Sequence, residues 1–470
     1  MLKPVSGLYT DYYELTMAQG YFLSGKKDDP AVFDYFFRAN PFDGGYVIFA
    51  GLDNLLEALA QFTYDQCELD YLRDQGFSDD FLTYLIPFRF QGTVSSVREG
   101  EVVFPLAPLV RVEGNIIECQ LIETILLNFL NFESLIATKA SRVRRVAGER
   151  VVADFGLRRA QGVGGLQASR AAVIGGLDAT SNVLAGQCFN LPVTGTQAHS
   201  WIQSFDDELA AFRAYARHYP DNTTLLVDTY DTLNSGLPNA IRVGLELKEN
   251  GRMLKSIRLD SGDLAYLSKQ ARQMLDRAGL TGTKILASNQ LDEYLIRSLN
   301  EQQAPIDGFG VGTELVTGKS TAALDGVYKL SAYNDHPTLK LSNTLEKTSL
   351  PARKTTVRFF NGNGLFYADC VCLADEARPE MMVHPYEPDK HCSLAGLPAE
   401  PLLETVMDKG RIVRREKDVA AIRDYCRRRL SLLPAEHQRF EMPHTYKVGL
   451  SPGLVRLRDE RVTALKRKTK

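Results

Sequence analysis

Between about residues 150 and 330, short β-branched or apolar runs alternate with longer amphipathic stretches, and no other feature restricts the fold of this chain as much. The runs fall at 151–155, 179–183, 192–195, 224–228, 254–259, 284–287 and 306–311. Several of the stretches between them have helical spacing. In FDDELAAFRAYARHY, Phe205, Leu209, Phe212 and Ala216 share one face. In DLAYLSKQARQMLDRAG, Leu264, Leu267, Ala271 and Met274 do the same, and Gly279 follows as a stop. Strands that alternate with helices pair in parallel, because each helix carries the chain back to the end where the previous strand began. About seven such units predict a barrel of the (β/α) type rather than a short open sheet.

The polar residues of this region gather at the C-terminal ends of the runs, in DFGLRR, TSN, GTQAH, DTYD, RLDSGD, SNQ and GVGTE. In a parallel barrel, side chains from many strands converge on that rim. A rim that holds Arg, Asp, His, Ser, Thr and Gly together suits an anionic substrate. The flanking sequence differs. The N-terminal part is rich in aromatics (Tyr9, Tyr12, Tyr13, Tyr35, Phe36, Phe37) and has strand-like pieces in AVFDYFFR and GTVSSVREGEVVF. Residues 320–375 again read as strands, with Asn361-Gly362-Asn363-Gly364 as a hairpin turn. These two stretches are expected to form one sheet domain interrupted by the barrel. The expected division is 1–124 for the first part of an α/β sandwich domain, 125–330 for the barrel, 331–390 for the return to the sandwich, and 391–470 for a mostly helical C-terminal segment.

Composition narrows the function classes. A chain of 470 residues exceeds one ordinary core. A net charge of -3 offers no global basic field to nucleic acid. No apolar run approaches ~20 residues, so no membrane span is expected. MLKPVSGLYTDYYEL lacks a basic stretch followed by an apolar core, so it does not read as a signal peptide. The basic stretch DVAAIRDYCRRRLSLL and the ending ALKRKTK read as a solvated helix face and a frayed end. Seven scattered cysteines point to reduced thiols and a cytoplasmic setting. Cys370-x-Cys372 with His391-Cys392 is the one cluster that invites a metal. Its spacing is tighter than a zinc knuckle, and the alternation in FYADCVCL favours buried strand cysteines.

Several rim segments carry chemistry. In RLDSGD, Asp260 ends an apolar run and precedes Ser-Gly and then a helix. Backbone N–H groups there can face a phosphate, and nearby aspartates can hold Mg²⁺ through water. Capping of the next helix by Ser261 or Asp263 is compatible with that role. VDTYDT offers Asp228 and Asp231 at another strand end. DFGLRRAQG supplies an aromatic face and two arginines for a flat anionic ring. FGVGTELVTGKST is not a P-loop, since five residues rather than four separate Gly312 from Gly318, and it reads instead as a glycine-rich strand end for a monophosphate. His199, after the Gly-Thr of TGTQAHSW, shares the rim with the aspartates, while Trp201 reads as core packing.

Nine segments in chain order together resemble the nicotinate phosphoribosyltransferase family: LYTDYYELTMAQGY, LNFESLIATKASR, DFGLRRAQG, TSNVLAG, GTQAHSW, RLDSGDL, SNQLDEY, FGVGTEL and KTSLPARK. The resemblance implies the fold of type II phosphoribosyltransferases, an irregular (β/α) barrel beside an α/β sandwich, working as a homodimer with the active site near the interface. It implies transfer of a phosphoribosyl group from phosphoribosyl pyrophosphate (PRPP) to nicotinate in NAD biosynthesis, with Mg²⁺, and with ATP as a co-substrate hydrolysed through a phosphohistidine. Carried over position by position, His199 matches the phosphorylated histidine and Thr196 lines its pocket. Tyr13 resembles the aromatic that stacks on the pyridine ring from the partner subunit, opposite Phe155, with Arg158 on the nicotinate side. Arg258 resembles the substrate-contacting arginine, and Asp260 and Asp228 resemble the residues around Mg²⁺–pyrophosphate. Gly312 and Thr313 match the loop that holds the ribose 5-phosphate, and Arg38 and Lys354 are further candidates for phosphate contacts. An Asp of the related nicotinamide enzyme lies near Asn182, and a neutral residue there would favour the acid over the amide, although Asp178 is close. The alternatives are a nicotinamide or quinolinate transferase on the same fold, or a non-catalytic nucleotide-binding protein.

Overall fold

The protein was analysed as a computed structural model that describes residues 6–342 and 348–468. Lys347, which opens the KTSLPARK segment, and the final Thr469 and Lys470 of the basic tail lie outside the described residues. Two compact units are present: one of Ile136–Lys319 with Asp418–Ala420, and one of Met1–Leu135, Ser320–Lys417 and Ala421–Lys470.

The first unit holds six parallel strands: Val151–Asp154, Ala179–Thr180, Thr224–Leu226, Ser256–Leu259, Lys284–Ser288 and Gly308–Val311. Gly308–Val311 pairs on one side with Val151–Asp154 and on the other with Lys284–Ser288, which continues through Ser256–Leu259 to Thr224–Leu226. On the far side Val151–Asp154 pairs with Ala179–Thr180. The predicted run at 192–195 is not a strand. It makes one parallel bridge, Thr180 to Val193, and the Gln197 side chain donates to the Thr224 carbonyl at 3.0 Å. A side-chain amide thus closes the ring where the backbone ladder fails, which makes the barrel irregular. The helices between the strands start alike. Asn182, Asp207, Asp231, Asp263 and Asp292 each accept a hydrogen bond from a backbone N–H in the first turn, the arrangement that satisfies otherwise orphaned donors.

The second unit contains a seven-stranded and a six-stranded sheet. Pro30–Phe37 lies between Val110–Asn115 and Gly326–Tyr333, both antiparallel to it. Residues 320–375 do not stay in one sheet, because Lys354–Phe360 and Phe366–Leu373 form a hairpin in the other, turned at Asn361–Gly364. The C-terminal segment carries helices Val419–Leu432 and Pro452–Lys468, and also short strands that extend both sheets. Its basic stretch is not wholly solvated. Arg429 is turned inward and pairs with Glu101 at 2.8 Å and with Glu400. Arg358, fully buried, pairs with Glu101 at 2.6 Å and Asp369 at 2.7 Å. No helix among the described residues is long and apolar enough to cross a membrane.

Candidate active site

The strand ends of the barrel bring five of the sequence candidates into one web. Arg258, near the end of Ser256–Leu259, donates from Nε to Ser288 Oγ at 2.8 Å and from one terminal nitrogen to Asp260 Oδ1 at 2.7 Å. Its other terminal nitrogen reaches Thr196 Oγ1 at 3.0 Å and the Gln197 carbonyl at 3.4 Å. These bonds engage four of the five guanidinium N–H groups and leave one over. The guanidinium carbon lies 5.5 Å from the centre of the Phe155 ring.

Asp260 also accepts from Ser288 Oγ. Burial works against its charge, but Arg258, the Ser288 hydroxyl and His199 outweigh burial and hold the carboxyl below the ordinary carboxylate range. Asp228 sits beside it. Asp228 Oδ2 accepts from the Asp260 amide at 2.8 Å and from Ser261 Oγ at 2.6 Å, while the buried Oδ1 has no hydrogen-bond partner. Asp263 is spent as the helix cap. His199 begins the short helix His199–Gln203. Its Nδ1 is 3.1 Å from Thr229 Oγ1, and its Nε2 faces Asp260 Oδ2 at 3.9 Å, beyond hydrogen-bond range.

Phe155 is positioned from beneath. Asp154 is buried and accepts from the Gly156 amide at 2.8 Å, Ser169 Oγ at 2.8 Å and Thr180 Oγ1 at 2.7 Å. Burial raises its carboxyl above the ordinary range despite those bonds. At Gly310 a Cβ would lie 2.5 Å from the Phe155 ring, so only glycine lets the ring rest on that strand. Gly312 follows the same strand, and Thr313 opens the one-turn helix Thr313–Val316. Arg158 projects from the exposed turn Leu157–Arg159. Trp201 is half-buried, meets Phe205 at a tilt and Tyr215 edge-to-face, and donates to the Ala211 carbonyl at 3.2 Å.

Other candidates are placed elsewhere or committed elsewhere. Tyr13, in the other unit, is 47% exposed on helix Tyr12–Leu23. There it lines a shallow cavity with Asp11, Thr124, Asn128 and Asn131. Arg38 pairs with Asp325 at 3.6 Å. Lys354 is not a phosphate ligand. It is buried, pairs with Asp34 at 2.7 Å and donates to the carbonyls of Leu350 and Ala352 at 2.9 and 2.7 Å. Asn182 is buried and committed to local hydrogen bonds. Its oxygen caps a helix through the Ala185 amide, and its nitrogen donates to Gly165 O and Ser169 Oγ, each at 3.2 Å. Asp178 is bound by Arg144 and the Val152 amide. Cys370 and Cys372 are buried strand residues, and the thiol of Cys392 contacts Tyr367 at 3.2 Å. Together with His391 they form no metal-spaced group among the described residues.

Sequence reasoning did not single out Ser288, Thr229, Gln197 or Asp154 as individual residues. For Ser288 a signal existed in the sequence, because SNQ ends a strand; in the structure the next two residues, Asn289 and Gln290, adopt positive φ, of 79° and 51°. Such strain in non-glycine residues collects at functional rims.

Residues 8–131, 151–363 and 353–458 match, in turn, the models of the nicotinate phosphoribosyltransferase N-terminal domain, family and C-terminal domain. The chain is 43% identical to nicotinate phosphoribosyltransferase of Bacillus subtilis, covering 94% of this chain and 92% of that one. It is 41% identical to a nicotinate phosphoribosyltransferase of Mycobacterium tuberculosis, covering 96% and 93%. The crystal structure of human nicotinic acid phosphoribosyltransferase superposes with a TM-score of 0.86 at 32% identity, covering 96% of this chain and 99% of that one. Nicotinate-nucleotide pyrophosphorylase of Pyrococcus furiosus shares the fold, with a TM-score of 0.70 at 22% identity over 90% and 95% of the two chains.

Proposed function

This chain belongs to the nicotinate phosphoribosyltransferase family, and from that premise we propose how its barrel rim joins nicotinate to PRPP and yields nicotinate mononucleotide and pyrophosphate for NAD biosynthesis. The fold is that of type II phosphoribosyltransferases. The observation that carries the catalytic reading is the web around Arg258, in which Ser288, Thr196, Gln197 and Asp260 fix one guanidinium. Breaking the C1–O bond to pyrophosphate builds positive charge on the ribose and negative charge on the leaving group. A cation already held in place pays no reorganisation as that charge develops. The pyridine nitrogen attacks C1 with its lone pair, and the C1–O bonding pair leaves with pyrophosphate. That nitrogen carries no proton to remove, so no general base is required.

Phe155 offers a ring face to the pyridine, and Arg158 a charge to its carboxylate. Gly312 and Thr313 take the ribose 5-phosphate. Asp228 and Asp260 would hold Mg²⁺, and the buried, unpartnered Oδ1 of Asp228 supports that fit. When bound, Mg²⁺ neutralises pyrophosphate charge. The carboxyl of Asp260, kept ionised by Arg258, stays available as an oxygen ligand.

His199 is read as the phosphate acceptor for ATP. Thr229 accepts from Nδ1–H in the tautomer we favour, which leaves the Nε2 lone pair to attack the γ-phosphorus while ADP departs. Hydrolysis of that phosphohistidine can drive transfer only if the two states of His199 bind substrate with different affinity. Tyr13 of the partner subunit is read as the second aromatic face, which makes the active unit a homodimer. Seven free thiols support a reducing, cytoplasmic setting.

The deciding experiment measures nucleotide formation with nicotinate, nicotinamide and quinolinate, with and without ATP. Turnover of nicotinate is expected; its absence, with turnover of either other ring, assigns a different substrate. After incubation with ATP, acid-labile phosphate is expected on the wild type and not on His199→Ala, which should keep some transfer that ATP no longer stimulates. Full ATP stimulation of that variant removes the phosphohistidine from the scheme.

A further inference from the structure

The loop between helix Val419–Leu432 and strand Val448–Leu450 carries a cluster that phosphoribosyl transfer does not use. Glu436, His437 and His444 bring a carboxylate oxygen and two ring nitrogens within 4.8 Å of one another. No other group of three or more His, Cys, Asp or Glu among the described residues has that spacing. His437 is the fixed member. It is 7% exposed, its ring is stacked on His444 at 5.1 Å and Tyr446 meets its edge at 5.4 Å. Its carbonyl packs on Gly45, where a Cβ would lie 2.0 Å from the oxygen.

The hydrogen bonds of the loop decide the tautomer. His437 Nδ1 lies 2.6 Å from the His444 carbonyl oxygen, and a carbonyl can only accept. Nδ1 therefore carries the proton and Nε2 keeps its lone pair. Metal-binding histidines are held in the same way, with the second ring N–H committed to a carbonyl or carboxylate. The loop is closed by a further bond, from the His444 amide to the Glu436 carbonyl at 3.0 Å.

We propose that Glu436, His437 and His444 form a binding site for Zn²⁺ or a cation of its class, which staples the 434–446 loop. Two imidazoles and one carboxylate are a borderline donor set that suits Zn²⁺, whereas Mg²⁺ selects oxygen. Three protein ligands leave a fourth position for water. Tetrahedral Zn²⁺ separates its ligand atoms by about 3.4 Å. The half-buried Glu436 and the exposed His444 can supply the remaining closure while His437 stays in place.

The test uses tag-free full-length protein, stripped with a chelator and dialysed against Zn²⁺ in excess Mg²⁺, which occupies oxygen-only sites. His444→Gln and Glu436→Gln are the variants. Both keep the main-chain carbonyls of the loop, and their folding is checked by melting in the chelator. The wild type is expected to bind one more equivalent of Zn²⁺ than His444→Gln, and Glu436→Gln to bind that equivalent at least about tenfold more weakly. Zn²⁺ should raise the melting temperature of the wild type more than that of either variant. Co²⁺ loaded in place of Zn²⁺ gives a visible spectrum that reports imidazole ligation and should be lost in His444→Gln. Equal Zn²⁺ stoichiometry and equal Co²⁺ spectra in wild type and His444→Gln overturn the site. Should His444→Gln melt early in the chelator, Glu436→Gln decides alone by the same readings.

Discussion

At the scale of single residues, the site is ruled by how many hydrogen bonds each polar group has already spent. Arg258 has one N–H left, Asp228 has one free oxygen, and His199 has one ring nitrogen outside hydrogen-bond range of any carboxylate. Asn182, by contrast, has committed both of its amide donors. Asn182 therefore has no donor left for the substrate carboxylate, and Arg158 is the exposed charge that follows Phe155 in the sequence. Arg158→Leu is expected to raise KM for nicotinate by roughly tenfold or more, with little effect on turnover of nicotinamide, because losing one charge-assisted hydrogen bond costs about 1.5–3 kcal/mol. Steady-state kinetics with both substrates check this; parallel losses for both would show that Arg158 does not read the carboxylate.

At the scale of elements, the barrel supports its rim with irregular pieces. Thr232–Gly236 is a turn of π-helix directly after the rim residues Asp228 and Thr229, and such turns are frequent beside functional sites. Its last residue, Gly236, packs on the strand that delivers Asp228: a Cβ there would lie 1.8 Å from the Val227 carbonyl oxygen. Gly236→Ala must push this backbone aside and carry Asp228 with it. The expected outcome is a fall in kcat of about a hundredfold, as an ångström-scale misplacement produces, with the helix Leu237–Glu249 still folded by circular dichroism. Unchanged kcat would mean that the turn does not position Asp228. The C-terminal helix Val419–Leu432 shows a different use of charge. Its sequence reads as a basic surface, yet Arg429 joins Arg358 in neutralising Glu101, with Tyr425 bonded to the same carboxylate. Helical periodicity marks a face but does not say which acidic neighbour that face will meet.

At the scale of the whole molecule, the predicted dimer and the pH dependence of stability can both be measured. If Tyr13 of the partner subunit completes the site, Tyr13→Ala and Arg258→Ala are each deficient, and refolding them together should restore about a quarter of wild-type activity through mixed dimers with one intact site. No recovery on mixing would leave Tyr13 serving its own subunit. Stability should also carry a signature of Glu14. This side chain is fully buried, and burial lifts its carboxyl from the ordinary 4.5 to about 7, against hydrogen bonds from Thr10 and Thr124. A carboxyl raised in the native state holds its proton more tightly when folded. Its contribution is therefore present below about pH 4.5 and is lost as pH rises through about 7, at up to about 1.4 kcal/mol per pH unit. The melting temperature of Glu14→Gln relative to wild type should accordingly rise between pH 5 and pH 8, and a constant difference would place the ionisation of Glu14 outside that window.

How much could be read from the chain alone follows from the range of each interaction. Strand–helix alternation and the polar residues that end each strand are local properties, so the parallel barrel, its rim and the Arg258, Asp260, His199 and Phe155 positions were legible without coordinates. Nine ordered segments carried the family and its reaction. Four features were not legible, and all depend on partners distant in sequence. Gln197 closes the barrel through Thr224, Lys354 is buried on Asp34, Arg429 turns toward Glu101, and the Phe155 ring rests on Gly310. A sequence pattern specifies which residues are polar and with what period. Only the tertiary structure decides which polar groups meet, because burial commits a charge to whatever partner the packed neighbour supplies.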